Sequence, residues 1–262
     1  MTAPYEIYAI RYAKLHSHRS ELYYRYSSYG VPDAEVEMAY YFWVLRRDDE
    51  TIVVDTGFDP VVGTARGRTC LVPPTEALSR IGIEPSTVAT VIVTHLHYDH
   101  IGNLDAFPHA QLIVPEAELE FWTGPLATRF QFGAHVETRE IAVVEEAQVE
   151  GRVRMTSGME EILDGITAIE VGGHSPGQQL TLVEGATGRV VLASDAVHFS
   201  EELELQRPFA VMHDLERMYA AYDTLDELAA GGAIIVPGHD PDVARRYPAI
   251  DDDTDGTIVR IA

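Results

Sequence analysis

The sequence predicts a layered α/β fold in a single domain. Short runs of β-branched and other apolar residues, typical of strands, alternate along the chain with segments of helical periodicity. Of the 262 residues, 46% are hydrophobic, which is enough for one large core. Neither a linker nor a low-complexity tract interrupts the pattern. We therefore treat residues 1–262 as one domain.

The first half of the chain predicts a hairpin followed by alternating helices and strands. Residues 39–56 contain two apolar runs on either side of the turn-like sequence DDE, which indicates a β-hairpin. Residues 73–83 predict a short helix, which begins behind two prolines and ends near Gly82. The segments that follow predict, in order, a buried strand (86–95), a helix (101–107), a strand (110–115) and a helix (116–122).

The second half of the chain also predicts strands and helices, in shorter segments. Three short β-rich runs separated by glycine-containing turns predict strands at 166–171, 178–185 and 188–194. Residues 214–232 have the periodicity of a long amphipathic helix that closes at two glycines, and residues 233–239 predict the last strand.

The charge of the chain limits its partners. Formal net charge is −23, from 19 Lys and Arg against 42 Asp and Glu, and we find no local basic patch. Such a chain repels polyanions, so we expect no nucleic-acid partner. No apolar run reaches the length of a membrane span, and the start of the chain does not resemble an export signal. With Cys70 as the lone cysteine, these features predict a cytoplasmic protein with no membrane partner.

The sequence THLHYDH at 94–100 predicts a metal site. Imidazole nitrogens and carboxylate oxygens together are the ligand set of zinc and related divalent metals. His95 and His97 lie two apart at the end of a strand and therefore project from the same face. Asp99 and His100 follow where the chain turns into the next helix. Two adjacent pairs of ligands suggest two metal ions.

Three more candidate ligands lie at the ends of later strands. His174, Asp195 and His239 each follow an apolar strand, and glycines flank both histidines. The carboxyl ends of strands are where α/β sheets gather their ligands. Neighbouring glycines let the backbone approach closely or adopt positive φ. The sequence therefore predicts that these three side chains join the first cluster.

These motifs resemble those of the metallo-β-lactamase superfamily. HLHYDH matches its HxHxDH motif, DTG at 55–57 matches its early aspartate motif, and His174, Asp195 and His239 match its later motifs in order. The resemblance runs from about residue 40 to residue 240 and implies a four-layer αββα sandwich. Within the superfamily, residues 94–122 and 172–179 are most similar to N-acyl-homoserine lactonases.

The resemblance also implies two zinc ions per chain. His95, His97 and His174 would hold one ion, Asp99, His100 and His239 the other, and Asp195 would bridge them. Asp55 would orient a ligand imidazole from behind, as metal-bound histidines usually require.

A site with two such metals predicts a hydrolase with a metal-bridging hydroxide as the nucleophile, and the resemblance implies that its substrate is a lactone. Asp99 would carry a proton to the leaving alkoxide. A thioester or acyclic ester hydrolase of the glyoxalase II type stays open on the same site. A non-catalytic metal-binding protein is a third alternative, although no ligand of the pattern is missing.

His198 departs from the lactonase pattern. Lactonases of this family place a tyrosine three residues after the bridging aspartate, where it contacts the substrate, and this sequence has His198 there. Imidazole can donate a hydrogen bond or a proton near neutral pH, so we expect His198 to be catalytic. The alternative is that His198 only packs beside the metals.

The N-terminal segment, residues 1–38, contains a second unusual feature. Tyr23, Tyr24, Tyr26 and Tyr29 crowd the stretch before the hairpin. Exposed tyrosines favour interfaces, so this segment is a candidate lid, substrate-facing wall or contact between two copies in a homodimer. Alternatively, the rings cover a sheet edge of their own chain.

Overall fold

Two mixed β-sheets form the centre of the structure, a computed structural model that describes residues 3–250 and 256–262. The strands are β1 Glu6–His18, β2 Glu35–Arg47, β3 Glu50–Val54, β4 Thr69–Cys70, β5 Thr90–Ile92, β6 Gln111–Pro115, β7 Val153–Thr156, β8 Met159–Leu163, β9 Ile166–Glu170, β10 Gln179–Gly185, β11 Gly188–Ser194, β12 Ile234–Pro237 and β13 Ile258–Arg260. The first sheet has the order β13-β1-β2-β3-β5-β6-β7, with β4 paired to β1, and the second has the order β12-β11-β10-β9-β8.

The helices are α1 Arg19–Leu22, α2 Pro60–Ala65, α3 Pro74–Arg80, α4 Tyr98–Ile101, α5 Glu116–Trp122, α6 Phe130–Gly133, α7 Thr138–Val149, α8 Ser200–Leu205, α9 Leu215–Ala230 and α10 Asp242–Arg246. Single 3-10 turns lie at Tyr26–Tyr29, Pro85–Thr87 and Leu104–Ala106. No helix in the described ranges combines the length and the apolar composition needed to cross a membrane.

Side-chain alternation along the strands produces four layers. In β2, Trp43 points to the other sheet and Phe42 to the helices, because successive residues of a strand face opposite sides. The layer between the sheets includes Tyr41, Trp43, Leu45, Ile52, Ile166, Val183 and Leu192. The outer layer on the first sheet includes Phe42, Val44, Leu78, Ile101, Leu119 and Val144, and that on the second sheet includes Leu180, Val191, Met218, Ala221 and Leu225. This helix–sheet–sheet–helix order confirms the αββα prediction.

Most of the elements assigned from the sequence are present. The hairpin is β2 and β3, whose antiparallel register runs from Trp43–Val54 to Arg47–Glu50. The long helix is α9, which begins after its N-cap Asp214 and ends at Gly231. Strand β1 was not assigned, although it pairs with β2 along almost its whole length.

The helix predicted over 101–107 is wrong. Helix α4 instead begins at Tyr98 and ends at Ile101, and a separate 3-10 turn follows at Leu104–Ala106. Gly102 lies against the backbone of Phe58 and Asp59, so closely that a Cβ atom would lie 2.4 Å from the Asp59 nitrogen. The Asn103 side chain donates hydrogen bonds to backbone carbonyls of residues 56–58. These two contacts end the helix early.

Candidate metal centre and active site

The first group of candidate ligands lies on the connection between β5 and α4. His95 follows β5, His97 precedes α4, and Asp99 and His100 lie within that helix. All four side chains are buried. Because the strand stops at Ile92 and the helix starts at Tyr98, this short connection turns all four side chains towards one region beyond the end of the sheet.

The other three candidate ligands follow strands of the second sheet. His174 lies beyond β9, Asp195 directly after β11, and His239 two residues after β12. Gly238 lets the last two approach each other, since a Cβ atom at this position would lie 2.6 Å from the backbone oxygen of Ser194. The carboxyl ends of β9, β11 and β12 thus deliver three ligands to the edge where α4 begins.

The structure brings all seven residues together around Asp195. Its Oδ1 lies 3.3 Å from His100 Nε2 and 3.0 Å from His239 Nε2. Its Oδ2 lies 3.3 Å from His174 Nε2 and 3.9 Å from His95 Nε2. The two carboxylate oxygens therefore face two different sets of imidazoles. We call these seven residues the metal cluster: His95, His97, Asp99, His100, His174, Asp195 and His239.

Each set contains a group of three donors that can surround one ion. The ligand atoms of His95, His97 and His174 lie within 4.8 Å of one another, and so do those of Asp99, His100 and His239. Asp195 forms a further group with His95 and His100 and thus joins the two sets, and it forms another with His174 and His198. The resemblance implied the first two of these groups as the ligands of two ions, and their binding of metal stays a prediction.

The donor atoms are oriented as a metal site requires. Asp55 accepts a hydrogen bond from His100 Nδ1 at 2.8 Å, and the carbonyl oxygens of Ala39 and Val211 contact Nδ1 of His239 and His174. The opposite nitrogens therefore face the cluster, as when a histidine binds metal through one nitrogen and is oriented through the other. His95 Nε2 and His100 Nε2 are buried without a hydrogen-bond partner among the described residues. A buried nitrogen in this state is stabilised by coordination, so the residues fit divalent ions.

The electrostatics of the cluster also suit cations. Burial lowers the pKa of His95, His97 and His174, which keeps these imidazoles in the neutral form that binds metal. Burial has the same effect on His100, but the carboxylates of Asp195, Asp55 and Asp99 outweigh it and raise its pKa. Positive charge is therefore favoured at that end of the cluster.

His198 lies beside the metal cluster. Its Nε2 is 3.2 Å from Asp195 Oδ2, and its ring stacks on Phe209 with centroids 3.7 Å apart. Its Nδ1 is 3.4 Å from Glu202. Burial lowers the pKa of His198, but Asp195 and Glu202 outweigh burial and raise it to about 9. The ring is thus fixed between two carboxylates.

Asp55 orients His100 as the sequence analysis expected, and it also fixes the start of the ligand segment. Its carboxylate accepts hydrogen bonds from the backbone nitrogen and the hydroxyl of Thr94, both at 2.8 Å. The Thr94 hydroxyl is also 2.8 Å from that of Ser194, the residue before Asp195. One buried network therefore couples the two ligand-bearing sheets.

Two buried glutamates support the site and were not identified from the sequence. Glu118 accepts hydrogen bonds from the backbone of Leu96 and Gly177 and from the indole of Trp122. Glu202 accepts from the backbone nitrogen of His198 and from the Tyr222 hydroxyl. A signal existed for Glu118, because a helix that buries Trp122 places the residue four positions earlier on the same face.

A cavity of about 200 Å³ opens onto the metal cluster. We call it the metal-site cavity; it is lined by Leu15, Glu21, Leu22, Met38, Tyr40, Arg68, Tyr98, His135, His198, Phe209, Val211 and cluster residues. A second cavity of about 220 Å³ shares His97, His135, His174 and Val211 with it. Pockets for drug-sized ligands measure roughly 300–1,000 Å³, so either cavity suits a small ligand.

The tyrosine-rich N-terminal segment packs beside this cavity. The backbone nitrogens of Tyr24 and Ala210 donate to the carbonyl oxygens of Pro208 and Leu22, respectively. Tyr23 and Tyr26 are buried, whereas Tyr24 and Tyr29 are partly exposed. The segment thus holds the 208–210 stretch, which carries Phe209, against His198.

Comparisons with known proteins agree with this architecture. An N-acyl homoserine lactonase from Bacillus cereus is 27% identical over 226 residues, which cover 80% of this chain and 84% of the relative. One from Bacillus thuringiensis is 30% identical over 165 residues, 62% of this chain and 60% of the relative. The crystal structure of a quorum-quenching N-acyl homoserine lactone lactonase matches with a TM-score of 0.79 at 24% identity, over 95% of this chain and 98% of that one.

A dizinc quorum-quenching lactonase, AidC, has the same fold, with a TM-score of 0.72 at 16% identity over 92% of this chain and 89% of that one. The family model of the metallo-beta-lactamase superfamily matches residues 37–239, which include the whole metal cluster. The chain belongs to the metallo-beta-lactamase superfamily.

Proposed function

We propose that the protein is a metal-dependent hydrolase that opens a lactone, either an N-acyl-homoserine lactone or another small cyclic ester. The observation that carries the proposal is the position of Asp195, whose two oxygens face two separate sets of imidazoles. Similarity to N-acyl homoserine lactonases supports the choice of a lactone over other esters.

Two zinc ions fit this donor set, because imidazole and carboxylate are common zinc ligands. In the proposed assignment His95, His97 and His174 would hold one ion, Asp99, His100 and His239 would hold the other, and Asp195 would be shared between them. Bound ions of this kind lower the pKa of water and draw electron density from a substrate carbonyl, which favours hydrolysis at neutral pH.

Asp99 is the proposed proton carrier. Its carboxylate belongs to the wall of the metal-site cavity, where a bound lactone would lie. As water attacks the carbonyl carbon and the ring C–O bond breaks, Asp99 accepts the proton that the nucleophile loses and passes it to the ring oxygen, which leaves as an alcohol. The product is one hydroxy acid: one hydrogen of the water ends on the ring oxygen, and the other stays on the new carboxyl group, which ionises to a carboxylate by releasing a proton to solvent.

His198 is the proposed hydrogen-bond donor on the other side of the substrate. Stacking on Phe209 and the contact with Glu202 fix the ring, Nε2 lies 3.2 Å from Asp195 Oδ2, and the residue lines the cavity. From this position it donates to the oxyanion or the leaving oxygen, in place of the tyrosine hydroxyl of related lactonases. Fixed donors of this kind stabilise developing negative charge.

A hydrolysis screen tests the proposal. Lactones of varied ring size and tail are offered beside thioesters, acyclic esters and β-lactams, and we expect turnover to be highest on lactones. Asp99→Asn removes the proton carrier and lowers turnover, whereas Asp105→Asn, an exposed aspartate on the neighbouring turn, leaves it unchanged. Faster hydrolysis of thioesters than of every lactone would replace this function with the thioesterase alternative.

We further propose that two copies associate through the N-terminal segment and that the protein is cytoplasmic. Sedimentation of the purified protein measures the first, since a homodimer doubles the mass of the sedimenting particle.

A further inference from the structure

Arg68 contributes a guanidinium group to the wall of the metal-site cavity. The same cavity is lined by Asp99 and His198, the two residues to which we assign chemical roles. A substrate bound against the metal cluster therefore lies within the space that Arg68 borders. Neither the motifs of the superfamily nor the proposed mechanism assigns a role to Arg68.

Both the backbone and the side chain of Arg68 are held in place. Its backbone nitrogen donates to Gly63 at the end of α2, and the next residue, Thr69, pairs with β1. Its Nε donates to the Tyr40 hydroxyl at 3.1 Å, and Nη1 donates to the carbonyl oxygen of Arg66. Nη2 has no hydrogen-bond acceptor within the described part of the chain and stays available to a ligand.

Arg68 has no carboxylate partner within 4.0 Å among the described residues. Other arginines near it do: Arg66 pairs with Glu137 at 2.7 Å, and Arg139 pairs with Asp59. In a chain with 42 acidic and 19 basic side chains, this half-buried guanidinium forms no ion pair within 4.0 Å among the described residues, although the Asp99 carboxylate acts on it over a longer distance. The field of the whole protein repels anions, so any attraction for one must come from such a local group.

The hydroxyl of Tyr98 is a second polar group at this place. It is buried in the same wall beside the Tyr40 hydroxyl, with which it interacts, and has no hydrogen-bond partner of good geometry among the described residues. The Arg68 guanidinium lies 5.7 Å from the centre of the Tyr98 ring. Together Arg68 and Tyr98 offer two donors to an acceptor in the cavity.

Several other residues of the cavity lining are apolar. Leu22, Met38 and Phe209 are buried there, with Leu15 and Val211 partly exposed beside them. A ligand that fills the cavity therefore contacts hydrocarbon as well as the Arg68 cation, and the exposed Glu21 also belongs to the lining. At about 200 Å³ the cavity suits a small ring with one charged substituent.

We infer that Arg68 and Tyr98 bind a carboxylate substituent of the substrate, which makes the substrate a small lactone that bears a carboxylate. The inference rests on the proposed lactonase function and names the class of lactone. A guanidinium matches a carboxylate in geometry and charge, and charge-assisted hydrogen bonds are stronger than neutral ones. Arg68 is thus a specificity-determining residue.

A matched pair of substrates tests the inference. γ-Butyrolactone with a ring carboxylate and the same ring with a carboxamide are nearly equal in size and differ in charge. The zinc-loaded wild-type enzyme should prefer the carboxylate by roughly tenfold or more in kcat/KM, mainly through a lower KM. Arg68→Gln should reduce this ratio to about one, and Arg68→Lys should retain part of it.

Arg245→Gln is the control, because Arg245 is exposed, pairs with Asp242 and carries the same charge away from the cavity. It should leave the preference unchanged. Because the readout is a ratio between two substrates, a general loss of folding or metal in Arg68→Gln does not imitate the result. Equal use of both lactones by the wild type, or an equal loss of both in Arg68→Gln, overturns the inference and leaves the lactonase proposal intact.

A failure of the proposed lactonase function can be distinguished from a failure of the inference about Arg68. Hydrolysis of neither lactone counts against that function, and calorimetric titration with the two ring-opened hydroxy acids then tests Arg68 alone. Roughly tenfold tighter binding of the dicarboxylate than of the carboxamide, lost in Arg68→Gln, supports the carboxylate site. Equal dissociation constants overturn it.

Discussion

The metal cluster and the wall of the metal-site cavity are built differently. Every cluster side chain is buried, and Nδ1 of His100, His174 and His239 is held by a hydrogen-bond partner. The wall is assembled from distant parts of the chain, including Leu22, Arg68 and Phe209. The cluster follows the superfamily pattern, whereas His198 and Arg68 do not derive from it. Under the proposed function, we expect the cluster to set the type of reaction and the wall to position and select the substrate.

The comparison predicts the largest effect for Asp195→Asn. The change removes the charge that faces both sets of imidazoles, so we expect loss of bound metal together with loss of turnover. The effect should exceed the roughly 10- to 100-fold that follows removal of groups behind a ligand. Metal content and kcat are measured on the same preparation. Full activity in this variant would refute a shared ligand.

The variant His198→Phe should show that a residue of the cavity wall affects turnover without affecting metal binding by the cluster. Phenylalanine keeps the stacking on Phe209 but lacks a donor, so kcat should fall by about 100-fold while metal content stays the same. His109→Phe, at an exposed position, is the control. Unchanged kinetics in His198→Phe would assign the residue to packing.

The variant Asp55→Asn tests whether the hydrogen bonds that Asp55 accepts hold the metal cluster in place. The amide replaces a carboxylate that contacts His100 Nδ1 and the Thr94 backbone, so the imidazole is held less firmly and is a weaker ligand. We expect metal affinity to fall by about 10- to 100-fold, measured by competition with a chelator. The selectivity between lactones should not change, because Asp55 does not line the cavity. Altered selectivity would show that cluster and wall are not separable.

Glu140 lies outside both the metal cluster and the wall of the metal-site cavity, and it is expected to affect the stability of the fold. Its carboxylate is buried without a hydrogen-bond partner among the described residues, and burial, reinforced by Glu137, raises its pKa to about 8. Between pH 4.5 and 8 the unfolded chain ionises this group while the folded chain keeps it neutral, so rising pH destabilises the fold.

Glu140→Gln removes this penalty and should stabilise the protein by about 1–3 kcal/mol at pH 8. The gain should vanish near pH 4, where both states carry the proton. Denaturant unfolding across this range measures it, with Glu145→Gln on the same helix as the control. A gain that does not vary with pH would contradict the ionisation argument.

The sequence predicted the cluster better than the wall, for physical reasons. Four ligands lie within residues 95–100, and the other three follow strands whose carboxyl ends meet at one edge, so local patterns locate them. The cavity position of Arg68 depends on pairing between β4 and β1, and β1 was itself not assigned. The buried partners of Glu118 come from two distant loops. The end of α4 depends on contacts of Gly102 with a loop more than forty residues away in sequence.

Metal analysis of the purified protein tests the central claim most directly. Elemental analysis after growth with zinc and removal of loosely bound ions should find two divalent ions per chain, and Asp195→Asn should hold fewer. One ion or none in the wild type would contradict an account in which one aspartate joins two sets of histidines.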